Sequence, residues 1–209
     1  MRHKLKSRKL GQAIFAAALG ALALAAPARA QYTIERPGTA VRGQLWAGEG
    51  AAGVFSANRS AGHRLRIGAD IQFGDDYQFD VGWTFLDRIF SGETSTSVGD
   101  VSRRGTDLNL GYFPVPDKLW VMYSLHIEDT SGSSIIGSVT ALGHQASVGY
   151  RFYSRKALNL AVEAAYLFIG SYDVSTFNYS TNVAGGAKFP AARIWSLNLR
   201  IGFDIGGRY

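Results

Sequence analysis

No cysteine occurs among the 209 residues. A disulfide framework, a thiolate metal site and a cysteine nucleophile are thereby excluded. Proline is scarce, and two of the five prolines, Pro114 and Pro116, share one short segment that reads as a turn. Beyond residue 30 no stretch approaches eighteen consecutive apolar residues, so no transmembrane helix is expected there. Even the basic excess is local. The formal charge is +6, but residues 1–30 hold six Lys/Arg and no acid, which leaves 16 basic and 16 acidic residues in the remainder. A nucleic-acid partner does not follow from that balance.

What the chain does have is glycine, 25 residues, and 12% aromatics. Its first thirty residues read as a cleavable secretory leader. "MRHKLKSRKL" is basic, Ala13 to Ala26 is apolar but short for a span, and "ARA" satisfies the small-x-small rule. The expected cut lies between Ala30 and Gln31, giving a leader of 1–30 and one mature domain, 31–209.

The stretch "HRLRIGADIQFGDDYQFDVGWTF", His63 to Phe85, separates by parity. One set is Leu65, Ile67, Ala69, Ile71, Phe73, then Tyr77, Phe79, Val81, Trp83 and Phe85. The other is Arg64, Arg66, Gly68, Asp70, Gln72, then Gln78, Asp80, Gly82 and Thr84. Such alternation is the mark of β-strands with two unlike faces.

The pattern recurs in Thr106–Phe113, Lys118–Glu128, His144–Tyr153, Leu158–Phe168 and Ile194–Ile205. An eighth strand is expected within Thr39–Gly50, where adjacent Leu45 and Trp46 blur the alternation. Connections alternate in length. Gly74–Asp76, Pro114–Asp117 and Ser154–Lys156 are short; Ala51–Gly62, Asp87–Gly105, Asp129–Gly143 and Gly170–Arg193 are long. The fold class expected is all-β, an eight-stranded antiparallel up-and-down barrel with its long loops at one end.

Strand length favours lipid over water. Ten residues at about 3.3 Å each, tilted about 40°, span roughly 25 Å, the height of a lipid-facing band. A soluble barrel would have to hold the bulky set inside, and an eight-stranded interior barely holds its own side chains. The small, polar, glycine-rich set suits that lumen. Aromatics gather towards both strand ends: Phe73, Tyr77, Tyr112, Phe152 and Phe203 at one, Phe85, Phe168 and Trp195 at the other.

The last strand, "WSLNLRIGFDIGGRY", places Phe203 and Ile205 on alternate positions before a terminal aromatic, Tyr209. This resembles the C-terminal assembly signal of bacterial outer-membrane barrels, with Gly207 where a bulky residue is usual. Together with the leader and strand count, the mature chain resembles a small OmpA/OmpX-type barrel without a peptidoglycan-binding domain. The resemblance implies an integral outer-membrane protein with long loops extracellular and short turns periplasmic. It implies outer-membrane lipid around the barrel, and the barrel-assembly machinery and periplasmic chaperones as partners during biogenesis. No cofactor is implied.

Chemistry is sparsely signalled. Ser124, His126 and Glu128 share one strand face and present a hydroxyl, a base and an acid. The stretch is loosely similar to lipid A deacylases, which use a Ser and a His. Alternate residues on a strand stand almost 7 Å apart, however, and this face is the lumen. The trio reads first as lumen polar residues. No metal spacing appears, since His63, His126 and His144 lie on separate strands. "VAGGAK" lacks the full phosphate-loop pattern.

The lumen is expected to hold a charge network of Arg64, Arg66, Asp70, Asp80, Glu163 and Arg200. A hairpin centred on Thr181 would set Glu163 opposite Arg200, and a three-residue turn would set Asp70 opposite Asp80. The function expected is non-enzymatic: envelope structure, or surface contact through the long loops, with "GSYDVSTFNYSTN" (Gly170–Asn182) as the contact loop for an unknown surface ligand. A lipid A-modifying hydrolase is the alternative reading, and a narrow pore the third.

Overall fold

The computed structural model describes residues 40–56, 58–74, 77–96, 99–133, 138–155, 157–178 and 183–205. The expected leader, its Ala30–Gln31 cleavage site and Tyr209 lie outside the described residues. Eleven strands are seen among those described. Eight are long: β1 (Ala40–Phe55), β2 (Arg59–Gly74), β3 (Phe79–Ser91), β5 (Gly99–Val115), β6 (Leu119–Gly132), β7 (Ser138–Arg155), β8 (Leu158–Ile169) and β11 (Ala192–Ile205). Three are short: β4 (Thr94–Ser95), β9 (Tyr172–Asn178) and β10 (Val183–Phe189).

The eight long strands close into an antiparallel barrel in chain order, with β3 paired to β5 and β1 to β11. Following paired residues round the wall runs from Gly53 through Trp195, Tyr166, Ala146, Tyr123, Leu110, Val81 and Ile71 back to β1 at Gly43. That is ten residues short of the start, a stagger that goes with a strand tilt of about 40°.

Parity decides the two faces. Ile71, Val81, Leu110, Tyr123, Leu197 and Ile201 project outward and are exposed, while Arg64, Arg66, Asp70, Asp107, Glu163 and Asn198 project inward and are buried. An exterior of that kind is stable only in lipid, and the closed wall leaves no backbone edge unpaired there. Phe73, Phe79 and Tyr112 pack in sequence near the short-turn end, with ring centroids 5.8 and 5.7 Å apart.

The structure corrects several expectations. The strands run past the expected limits, so three of the expected long loops are largely strand. β1 and β2 are joined by residues 56–58 alone, and β9 and β10 form a separate two-stranded sheet within the fourth. Beyond lipid a strand needs no apolar face, so alternation fades and polar composition imitates a loop. Trp46 faces the lumen and Leu45 the outside. Tyr77 leaves the lipid face altogether; it stands in the β2–β3 turn at φ 57°, beneath the Arg42 guanidinium at 4.4 Å. Leu119 shares the parity of outward Val121 and Tyr123 on β6 but is buried at the short-turn end. Asp87 belongs to a strand, because a bulge at Phe85–Leu86 lets both Thr84 and Asp87 point inward.

Candidate functional site

The inward side chains form one continuous chain of opposite charges. Arg200 Nη2 lies 3.2 Å from Asp70 Oδ2, and its Nη1 donates to Glu163 Oε2 at 2.7 Å. Glu163 also pairs with Arg66, whose Nη2 donates to Asp107 Oδ2 at 2.9 Å. Asp107 Oδ1 is 2.5 Å from His126 Nδ1. His126 Nε2 then faces Glu128 Oε2 at 3.6 Å, and Glu128 pairs with Arg103. Arg103 holds Glu93 with two bonds, of 2.7 and 2.8 Å. Arg64 forks onto Asp87 beside this chain, its Nε donating at 2.8 Å. Most of these groups are wholly buried, where a charge without a partner would be very costly.

Why the chain can run straight up the barrel follows from strand register. Thr84, Asp87 and Asp107 come from the adjacent β3 and β5, and Asp107 pairs with His126 on β6. The Arg64 and Arg66 arms of β2 meet Asp87 and Asp107, and Arg66 reaches on to Glu163 of β8, where Arg200 of β11 joins. Rings cover the arms: Trp46 underlies Arg200 at 3.8 Å and Arg66 at 5.3 Å. Room for the rings comes from glycine. Trp46 lies over its cross-strand partner Gly68, and Trp120 over its partner Gly149.

Apolar clusters flank this network, one of them level with Arg103, which pairs with Ile89. Towards the short turns lie Phe113, Trp120, Met122 and Ala161. Towards the other end Val54, Ile89, Leu167, Ile169, Ala192 and Ile194 meet across the lumen, all buried. Below the first layer Asp204 accepts from Gln44 at 2.7 Å and Asn159 at 2.9 Å, and Arg42 and Arg151 converge on Asp117. The cavity lined by Asp70, Asp80, Trp120, Arg151 and Arg200 measures about 10 Å³, space for about one water.

All six residues of the expected network face this interior, but two pairings differ from expectation. Glu163 pairs on the backbone with Asn198, and Arg200 with Ala161; the side chains meet diagonally. Asp70 is opposite Gly82, not Asp80, because the turn consumes two more residues than expected. Gln72 is opposite Asp80 and donates to it at 3.2 Å. Sequence reasoning missed Asp87, Glu93, Asp107, Arg103 and Trp46. Asp107 had lumen parity within an expected strand and could have been found; Asp87, Glu93 and Arg103 fell in an expected loop.

Ser124, His126 and Glu128 are all buried in the lumen. His126 is held by Asp107 on Nδ1, while Ser124 Oγ has no hydrogen-bond partner among the described residues. Asp87, Asp107 and His126 bring three donor atoms within 4.8 Å of one another. Arg64 and Arg66 already bond these two carboxylates, so the positive charge that a cation would bring is present. His126, Glu128 and the two aspartates are thus positioned as parts of a charge network, to which Ser124 is not joined among the described residues.

Phe203 and Ile205 of the expected assembly signal face outward on β11. β9 carries Tyr172–Asn178 of the expected contact loop, residues 179–182 lie outside the described residues, and β10 follows the loop.

No protein-family model matches the sequence, and neither does any curated protein with which it was compared. Among solved structures, the chain is similar to Neisserial surface protein A at 17% identity and a TM-score of 0.48, over 79% of this chain and 99% of that one. It is similar to the outer membrane protein AlkL, determined in DMPC lipid bilayers, at 16% identity and 0.46, over 86% and 98%. The outer membrane protein OprG from Pseudomonas aeruginosa gives 10% and 0.42, over 79% and 95%. These are likenesses of architecture.

Proposed function

We propose that this chain is an integral outer-membrane barrel with a sealed lumen, which anchors a strand-built surface for contact outside the cell. One observation carries the reading: buried ion pairs and apolar clusters fill the lumen, and the cavity among them has space for about one water. Ions crossing such a lumen would have to break buried pairs. A scaffold is what remains when transport is closed and the walls continue beyond the lipid. Long loops face outward from the cell and short turns face the periplasm. The β9–β10 hairpin is the contact element.

Reconstitution into planar bilayers tests the sealed lumen. The parent protein shows no unitary conductance across the usual voltage range. Discrete channel openings from the pure, folded protein would overturn the reading and favour a pore. The membrane reading has its own check: the unboiled protein runs differently from the boiled one in SDS gels, as a closed, fully paired barrel should. Identical mobility together with recovery from the soluble periplasmic fraction would sink it.

A further inference from the structure

On the outer face, β3 and β5 set Arg88 directly opposite Arg104. Two like charges across an antiparallel pair repel unless something negative lies between or beside them. Arg104 has Asp129 at 3.2 Å, on the exposed side. Arg88 has no acidic partner among the described residues; its guanidinium lies over the Phe90 ring at 4.7 Å. The other face of the patch is His63, stacked on Phe90 at 4.5 Å, with Glu49 4.0 Å from its Nε2. One acid therefore serves Arg104, another serves His63, and Arg88 is left over.

An open depression of about 310 Å³ adjoins this pair, with Ala61, Arg88, Phe90, Ser91, Gly92 and Ser102 in its wall. Nearer the barrel middle, on the same three strands, the outward residues become apolar: Ile67 on β2, Phe85 on β3 and Leu108 on β5. A ligand lying along this wall meets cations and hydroxyls at one end and hydrocarbon at the other. That is the chemistry of an anionic lipid.

We propose that Arg88 and Arg104, with Phe90 beside them, hold the phosphate of a lipid headgroup in the leaflet at the long-loop end. Guanidinium matches phosphate with two parallel bonds, and two guanidiniums facing one oxyanion relieve their own repulsion. The acyl chains run down over Phe85 and Leu108. The proposal rests on the membrane reading above.

The test uses the full folded chain in an uncharged detergent, with native mass spectrometry reading bound lipid. The probes are dioctanoyl phosphatidic acid, dioctanoylglycerol with the same chains and no phosphate, and inorganic phosphate. The parent retains the phosphatidic acid in preference to dioctanoylglycerol, and inorganic phosphate displaces it only at large excess. Arg88→Gln with Arg104→Gln weakens retention at least about tenfold. Arg88→Lys with Arg104→Lys, which keeps the charge, falls between them. Arg59→Gln, on the β2 tip, leaves retention unchanged. Equal retention by the Gln double variant and the parent would overturn the proposal. So would equal retention of dioctanoylglycerol by the parent, or displacement by inorganic phosphate at matched concentration, which would mark a free-anion site. Heat-dependent gel mobility is measured on every sample. If the Gln variant fails to fold, the Lys variant and the parent's three-probe comparison decide the matter. Loss of mobility shift in the parent would instead count against the membrane reading.

Discussion

Arg200 reaches Glu163 across two residues of register: its Nη1 stands 2.7 Å from Glu163 Oε2, although its backbone partner is Ala161. The diagonal leaves Nη2 free for Asp70 and leaves the second Glu163 oxygen for Arg66. Glu163 is therefore shared by two cations.

Sharing makes the two ends of the pair unequal. Glu163→Gln leaves Arg66 with Asp107 and Arg200 with Asp70, and is expected to cost less than a fully broken buried pair, which is about 3–5 kcal/mol. Arg200→Gln is expected to cost more, about 3–5 kcal/mol, since Glu163 keeps Arg66 but buried Asp70 loses its cation. The double variant should fall short of the sum, and unfolding from lipid vesicles measures the coupling. Strict additivity would mean that the two side chains do not meet.

Val81 faces lipid and is 45% exposed, while its neighbour Gly82 faces the lumen. Val81→Arg is expected to destabilise by about 2–4 kcal/mol near mid-membrane. Gly82→Ala is not the mild control that parity alone suggests, because a methyl there meets the Asp70 carboxylate. It should lower stability by disturbing the Asp70–Arg200 pair. Unchanged stability of Val81→Arg in bilayers would refute the face assignment.

Trp120 lies against Gly149 with no room for a Cβ. Gly149→Ala should displace the indole from the apolar layer near the short turns. Its signature is a shift in tryptophan emission and a lowered unfolding midpoint. Trp120→Phe combined with Gly149→Ala should recover part of the loss.

The charge-network role of His126 predicts a split between chemistry and stability. Ser124→Ala and His126→Ala should leave the lipid A profile of expressing cells as the parent does. His126→Ala should still be less stable, since it removes a partner from Asp107 and Glu128. Disappearance of a deacylated lipid species in both variants would instead support a hydrolase.

Faces were legible in the sequence, and strand ends and registers were not. The β2–β3 turn ran two residues longer than its glycine and aspartates suggested, because Tyr77 turns aside to meet Arg42. A slip of two preserves parity, so Asp70 and Asp80 kept their inward orientation while losing their supposed opposition. A bulge is harder. At Phe85–Leu86 one extra residue resets the parity, and everything from Asp87 onward ceased to look like strand. Trp46 was obscured by chemistry, since an indole reads as a lipid-facing residue until the cations it covers are in place.

Seven of the eight wall contacts join strands adjacent in barrel order along the chain, whereas the β1–β11 contact joins its two ends. Gln44 and Asp204, 160 residues apart, bond across it at 2.7 Å. The entropy of bringing such distant partners together grows only slowly, by about 0.6 kcal/mol for each doubling of the span. The penalty is thus one of timing. A growing wall keeps two unpaired edges until its last strand arrives, and a copy cut short before β11 can never lose them. Closure works as a length check: truncated products stay sticky and open to proteases, and only complete chains become inert.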